Sequence, residues 1–138
     1  MSILGSSLFN AWGAATISGT TNIRFPNIYV NEGGDYNVSS GVFTCRIPGQ
    51  YWFSVTLTKP FLDSVDSIYC YMLVNGNWII LLYTNPYNDD LAHYEITASA
   101  GFHLKVGDRF QIGSCVDPEH IRNHIDTHIS GFLIKADV

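Results

Sequence analysis

The chain has 138 residues, a length typical of one domain with its own hydrophobic core. Only 14% of the residues are charged, against about 25% in an average soluble domain, while 46% are apolar. The net charge of −5 and the scattered basic residues exclude nucleic acid and an anionic membrane surface as expected partners.

Short apolar stretches predict β-strands along almost the whole chain, and no segment has a sustained helical period. Strands are predicted at 11–18, 22–25, 42–47, 50–58, 68–75, 78–84, 94–106, 109–116 and 127–135, with a weak one near 28–30. Residues 1–10 are interpreted as an N-terminal extension, which has no basic segment and too short an apolar core for a secretory signal. No apolar run approaches the roughly 20 residues that cross a bilayer, so no membrane insertion is expected.

Turn residues separate these strands. Asn75-Gly76, between two apolar runs, is the strongest hairpin signal in the chain. Gly33-Gly34-Asp35, Pro48-Gly49 and Gly107-Asp108 are further turn signals. Many short strands at near-regular spacing predict an all-β sandwich or jelly roll.

A specific spacing of aromatic, amide and glycine residues runs from residue 25 to residue 53. Its positions are Phe25, Asn31, Tyr36, Phe43, Gly49, Tyr51 and Phe53. The pattern resembles the signature of the complement component 1q globular head, and departs from it only at its last position, Val55, where the family has an aromatic residue. The sequences LVNG at 73–76, LKVGD at 104–108 and SGFLI at 130–134 follow in the family's order, so the resemblance covers about residues 11–134.

This resemblance implies a ten-stranded jelly roll, shared with tumour necrosis factor, that closes into a trimer. The whole chain, 1–138, would be one globular head, since it contains no Gly-X-Y stalk. The low charge predicts an oligomer independently, because so few charged residues cannot cover the surface of a monomer.

The resemblance also implies a secreted, extracellular recognition protein without enzymatic activity. Stalkless members of the family act as lectins or pattern-recognition proteins in innate immunity, so we expect a homotrimer that binds glycans or microbial surface polysaccharide. The alternatives are a structural or metal-binding extracellular protein and a cytokine-like ligand of a protein receptor.

The expected ligand-binding loop connects the strands predicted at 78–84 and 94–106. Tyr87 offers a ring that can stack on a pyranose, and Asn85, Asn88 and Asp90 offer hydrogen bonds to hydroxyl groups. Trp78 and Tyr83 lie beside the loop, and we expect both to pack in the core.

The same loop is the candidate calcium site. Asp89, Asp90 and Glu95 supply hard oxygen ligands of the kind that calcium prefers. Many complement component 1q heads bind calcium in loops of this region. The alternative is a solvated polar loop, because adjacent acidic residues on an extended chain point in different directions.

His120, His124 and His128, spaced by four, are the candidate zinc ligands. On a helix this spacing would align the imidazoles, but the neighbouring SGFLI strand favours a loop that enters a strand. Solvated and core-edge histidines are the alternative. In a trimer, one histidine near the axis would be present three times.

Three cysteines leave at least one thiol unpaired or bonded to another chain. Alternation places Cys45 and Cys70 on inward faces, and the family resemblance allows a bridge between them. Two buried free thiols are the alternative. Cys115 has no neighbours that would activate it as a nucleophile.

Overall fold

The computed structural model describes residues 5–60, 68–83 and 94–138. This part of the chain forms twelve β-strands, with a 3-10 helix at Pro118–His120 before the last. The strands are β1 (Leu8–Trp12), β2 (Ala15–Thr16), β3 (Ile23–Arg24), β4 (Asn27–Glu32), β5 (Tyr36–Asn37), β6 (Val42–Thr44), β7 (Gly49–Lys59), β8 (Tyr69–Val74), β9 (Asn77–Tyr83), β10 (Tyr94–Leu104), β11 (Arg109–Val116) and β12 (His128–Ala136). No helix among these residues is long and apolar enough to span a membrane.

Ten of the strands form two five-stranded antiparallel sheets. The first sheet has the order β10-β7-β12-β1-β4 and the second has the order β5-β6-β11-β8-β9. The short β2–β3 pair stands apart from both. This arrangement confirms the predicted all-β, ten-stranded jelly-roll sandwich.

An aromatic core joins the two sheets. Phe53 of β7 lies parallel to Phe110 of β11, with ring centroids 3.8 Å apart. Phe9 of β1 stacks in the same way on Tyr36 of β5, at 4.7 Å. Gly131 of β12 lies under this cluster, where an added Cβ would come within 2.6 Å of Phe9 and Phe53. A larger residue there would push the sheets apart.

The signature residues form this scaffold. The Tyr36 hydroxyl accepts a hydrogen bond from the Phe25 N–H at 3.0 Å, and the Asn31 side chain bonds both backbone groups of Tyr36. Gly49 faces the backbone of β12 so closely that a Cβ would meet the Lys135 carbonyl oxygen. Val55, where the pattern departs, is fully buried. The signature therefore specifies packing rather than chemistry.

The first predicted strand, 11–18, is wrong in its bounds. The strand β1 begins at Leu8, inside the segment 1–10 interpreted as an extension, and ends at Trp12. Gly13 follows with a φ of 83°, which breaks the strand before β2. The weak strand expected near 28–30 is the full edge strand β4.

The cysteine pairing allowed by the resemblance, Cys45–Cys70, is also wrong. Cys70 is bonded to Cys115, and Cys45 is a buried free thiol. The strand order explains the difference, because β11 lies between β6, which ends just before Cys45, and β8, which contains Cys70. Cys45 bonds the backbone of Gly107 and Asp108 before β11 begins, whereas Cys115 lies near the other end of that strand.

Cys115 faces inward because β11 contains a bulge. Phe110 and Ile112 point into the core, so strict alternation would turn residue 115 outward. Ser114, with a φ of 49°, lies where the register with β8 shifts. The extra residue reverses the alternation and brings the Cys115 sulfur towards Cys70.

Candidate functional site

The outer face of the first sheet combines exposed aromatic residues with uncharged polar residues. Trp52 of β7 is 40% exposed and lies opposite Phe132 of β12, which is 41% exposed. We call the outward residues of the three central strands the first-sheet face; they are Leu8, Asn10, Trp12, Trp52, Ser54, Thr56, His128, Ser130 and Phe132. This face contains no Asp, Glu, Lys or Arg.

Rows of hydroxyl groups cross the first-sheet face into β10. The Ser99 hydroxyl donates to Ser54 at 2.8 Å, and the hydroxyl oxygens of Thr56 and Thr97 are also 2.8 Å apart. These bonds satisfy the hydroxyl groups within one chain. The face can therefore lose water on contact with another surface at small cost.

The outer face of the second sheet bears a continuous row of aromatic rings. We call Tyr69, Tyr71, Trp78 and Tyr83 the aromatic ladder. Trp78 and Tyr71 are stacked, with centroids 4.5 Å apart and planes 9° apart. Tyr71 meets Tyr69 edge-on at 6.3 Å, and Tyr69 meets Tyr83 at 5.7 Å. Trp78 is 65% exposed and Tyr83 is 42% exposed, so the expectation that both pack in the core is wrong.

A bulge in β9 turns Trp78 outward. Ile80 and Leu82 face inward and pair with Met72 and Cys70, so strict alternation would also place residue 78 inside. The register shifts between Met72 and Leu73, which pairs with Trp78, and Ile79 is the extra residue.

The Trp78 ring is anchored although it is exposed. It extends from β9 across Tyr71 of β8, and its indole N–H donates to the Ser114 hydroxyl of β11 at 3.1 Å. One face of the ring is covered by Tyr71, and most of the side chain remains open to solvent. An exposed ring held in this way loses little conformational entropy when a ligand stacks on it.

A pocket of about 260 Å³ lies beside the aromatic ladder on the same sheet face. We call it the Arg109 pocket; it is lined by Val42, Asn75, Gly76, Arg109 and Gln111. The predicted Asn75-Gly76 turn is confirmed, with φ values of 52° and 81°. The Asn75 side chain fixes this turn to β11, because its Oδ1 accepts from the Arg109 N–H at 2.9 Å and its Nδ2 donates to Asp108 at 3.1 Å.

The ionised side chain of Asp108 supports the same wall of the pocket. The Lys105 backbone N–H donates to it at 2.8 Å, and this bond, followed by that from Asn75, lowers the pKa of the carboxyl group. The ionised form is therefore the one that holds the turn in place.

The predicted binding loop cannot be compared with this geometry. Tyr87, Asn85, Asn88, Asp89 and Asp90 lie outside the described residues. Glu95, the remaining residue of the calcium prediction, is exposed near the start of β10, opposite Thr58 of β7.

The three histidines lie in three different settings. His120 ends the 3-10 helix with its ring nitrogen 3.7 Å from Glu119, and His124 lies in the following loop, 3.9 Å from Asp126. His128 begins β12 on the first-sheet face. Within the described ranges no group of three His, Cys, Asp or Glu side chains is arranged to hold a metal ion, so one chain does not bring these histidines together.

Sequence reasoning missed Tyr69, Tyr71 and Arg109 as surface residues. Tyr69 and Tyr71 alternate with the inward Cys70 and Met72, which is a signal for an outward face. Arg109 directly follows the predicted Gly107-Asp108 turn. The signals were present in the alternation, but the two bulges that complete the surface are not visible in it.

The chain matches known proteins over most of its length. The family model described as C1q domain matches residues 9–134. Complement C1q tumor necrosis factor-related protein 2 of Mus musculus and of Homo sapiens are both 34% identical over 124 residues, or 83% of this chain. The chain spans only 38% and 39% of those two relatives.

Solved structures share the fold at low sequence identity. The globular domain of zebrafish complement 1qA protein has a TM-score of 0.69 at 18% identity, over 95% of this chain and 99% of that chain. Murine APRIL at pH 8.5 has a TM-score of 0.66 at 12% identity, over 94% and 99% of the two chains. The family match, the relatives and the jelly-roll sandwich agree: this chain belongs to the C1q domain family.

Proposed function

We propose that this protein is a secreted homotrimeric lectin of innate immunity that recognises glycans, including microbial surface polysaccharide, through the aromatic ladder. The exposed yet anchored Trp78 ring is the observation that carries the proposal. Recognition would be by binding alone, without catalytic turnover.

The first-sheet face supports the trimer. Its exposed aromatic residues and lack of charge match the chemistry of a surface buried between subunits, which is depleted of charged residues. Because the chain belongs to the C1q domain family and shares its fold with murine APRIL, we expect a trimer with threefold symmetry. We expect light scattering at micromolar concentration to give a trimer mass, and Phe132→Glu to lower it towards that of a monomer.

The aromatic ladder supports carbohydrate binding. The apolar faces of pyranose rings stack on exposed aromatic rings, and the hydroxyl groups of Tyr69, Tyr71 and Tyr83 supply hydrogen bonds at the rim. Each site would be weak, and three copies on one assembly would raise the avidity for a dense glycan surface.

The loop that follows β9 would extend this site. We retain Tyr87 as a second stacking ring, with Asn85, Asn88 and Asp90 as hydrogen-bonding residues. Asp89, Asp90 and Glu95 would supply the oxygen ligands of a calcium ion there. If it binds there, excess calcium raises the melting temperature relative to chelator, because a ligand of the native state stabilises it.

A broad glycan array, with and without calcium, tests the proposal. The wild-type trimer is expected to bind, and Trp78→Ala is expected to weaken binding about tenfold, which is near the low end of the roughly 1–3 kcal/mol that a nucleic-acid base gains by stacking on an aromatic side chain. Val106→Ala removes an equally exposed apolar side chain from the turn between β10 and β11 and is the matched control.

Tyr87→Ala separates the ladder from the loop. Loss of binding in Tyr87→Ala but not in Trp78→Ala would place the sugar on the loop. A blank array for the wild-type trimer would overturn the lectin proposal and favour a cytokine-like ligand of a protein receptor or a structural, metal-binding role.

A further inference from the structure

Among the residues that the structure describes, Arg109 differs from the other three arginines because its guanidinium group makes no hydrogen bond or ion pair. Arg46 bonds Asp35 at 2.9 Å, Arg24 bonds the Val38 carbonyl at 3.3 Å, and Arg122 lies 3.5 Å from Asp126. Arg109 is exposed, and in the described part of the chain its side chain makes no hydrogen bond or ion pair. Only its backbone is engaged, by Asn75.

The Arg109 pocket gives this cation a defined site. The Asn75-Gly76 turn forms one wall and Val42 of β6 the opposite one, while Gln111 places an amide on the same side of β11 as Arg109. Because Asn75 bonds both the Arg109 N–H and Asp108, the wall is fixed before any ligand arrives.

The pocket and the aromatic ladder lie in one row across the second sheet. Gln111 pairs with Leu73, and Leu73 pairs with Trp78, so the three residues form one row across β11, β8 and β9. Neighbouring strands are about 4.8 Å apart, so Gln111 and Trp78 are separated by roughly 10 Å along this row. A short oligosaccharide can therefore contact the Trp78 ring and the Arg109 pocket at once.

We propose that the ligand of this surface is an acidic oligosaccharide, with one sugar ring stacked on Trp78 and the carboxylate of another paired with Arg109. This inference rests on the proposed carbohydrate binding and names its substrate class. The planar guanidinium forms two parallel hydrogen bonds to a carboxylate, and the Gln111 amide can donate a further one. Neutral sugars would leave the cation without a partner.

The experiment compares oligogalacturonate with its methyl ester on the intact wild-type protein. The two probes have the same sugar rings and differ in the charge of the carboxyl group. We expect the acid to bind about tenfold more tightly at low salt, as charge-assisted hydrogen bonds are roughly twice as strong as neutral ones. This preference should shrink as salt is added, because exposed charges are screened.

Arg109→Gln tests the residue, and Lys105→Gln is the control. Both variants remove one exposed positive charge, but Lys105 lies in the turn outside the pocket. Arg109→Gln should abolish the preference for the acid and keep the binding of the ester, whereas Lys105→Gln should keep both. A sulfated galactan oligosaccharide is a further arm, and tighter binding of the sulfate than of the carboxylate would overturn the carboxylate assignment.

The outcomes separate this inference from the function on which it rests. Equal binding of acid and ester by the wild type, or an unchanged preference in Arg109→Gln, overturns the acidic ligand while the lectin stands. Absence of any saccharide binding overturns both. If Trp78→Ala instead splits a larger assembly into trimers, the face is a contact between copies and the inference fails.

Discussion

The two outer faces of the sandwich both expose aromatic side chains, but they hold them differently. On the first-sheet face, Trp52 and Phe132 lie among hydroxyl groups, without charge. On the second sheet, the rings of the aromatic ladder contact one another, Trp78 is fixed by a hydrogen bond to Ser114, and the Arg109 pocket lies beside them. A surface without charge, whose hydroxyl groups bond one another within the chain, is suited to burial between subunits. Anchored aromatic rings beside a cation are suited to a polar ligand. Exposure alone therefore does not distinguish assembly from recognition; the anchoring does.

The largest effect is expected from a substitution in the core that lies between the two sheets. Phe53 is fully buried between the sheets, so Phe53→Ala should lower the free energy of unfolding by about 3–5 kcal/mol and abolish both the trimer and ligand binding. Chemical denaturation measures the loss. Val106→Ala, which removes an exposed apolar side chain from the turn between β10 and β11, is the control, and its free energy of unfolding should change far less. An unchanged melting curve for Phe53→Ala would contradict the assignment of the faces of β7.

The disulfide lies beneath the second sheet's face and not beneath the first. Cys70–Cys115 links β8 to β11 next to Ser114, the residue that anchors Trp78. The double variant Cys70→Ala/Cys115→Ala should lose roughly 2–4 kcal/mol of stability and weaken binding more than trimer formation. Cys45→Ala, which leaves the bridge intact, is the control. Thiol titration of the unfolded wild-type protein should find one free thiol per chain; three would contradict the pairing.

A smaller change in the free energy of unfolding is expected at high pH, because Tyr36 of the second sheet packs against Phe9 of the first. Burial raises the pKa of the Tyr36 hydroxyl to about 12, outweighing the bond from Phe25 that lowers it. The tyrosine of the unfolded chain ionises near its ordinary pKa of 10.0. The contribution of the neutral Tyr36 hydroxyl to the free energy of unfolding is therefore fully present below pH 10 and is lost as the pH rises towards 12. The loss is roughly 2–3 kcal/mol, since a tenfold change in an ionisation constant corresponds to about 1.4 kcal/mol.

Urea melts at pH 8 and pH 11.5 measure this loss, and Tyr36→Phe should reduce it. Burial also raises the pKa of Tyr51, whose hydroxyl donates to the Ile47 carbonyl, so part of the pH dependence should remain in that variant. If the free energy of unfolding falls equally in Tyr36→Phe and in the wild type, ionisation of Tyr36 is not the cause of the pH dependence.

The sequence predicted the sandwich because its strands alternate and its turns use glycine and asparagine where the backbone requires them. The Asn75-Gly76 hairpin and the inward faces of β7 and β11 follow from these local rules. Trp78 and Cys115 could not be placed in this way. Each lies next to a bulge, Trp78 just before Ile79 and Cys115 just after Ser114, and one extra residue moves the adjacent side chain to the other face of the sheet.

The candidate site depends on those two bulges together. The β9 bulge turns Trp78 outward, and the bulged Ser114 of β11 supplies the hydroxyl that holds it. Arg109 and Gln111 come from a strand that was predicted correctly, but their continuity with Trp78 depends on the register of three strands, which no single stretch of sequence encodes.

Tryptophan fluorescence tests the difference between the two faces most directly. The chain has three tryptophans, of which Trp12 and Trp52 lie on the first-sheet face and Trp78 on the aromatic ladder. Saturating oligogalacturonate should shift the emission of the wild type and of Trp52→Phe, and should leave that of Trp78→Phe unchanged. A shift that persists in Trp78→Phe and disappears in Trp52→Phe would place the ligand on the first-sheet face and contradict the account.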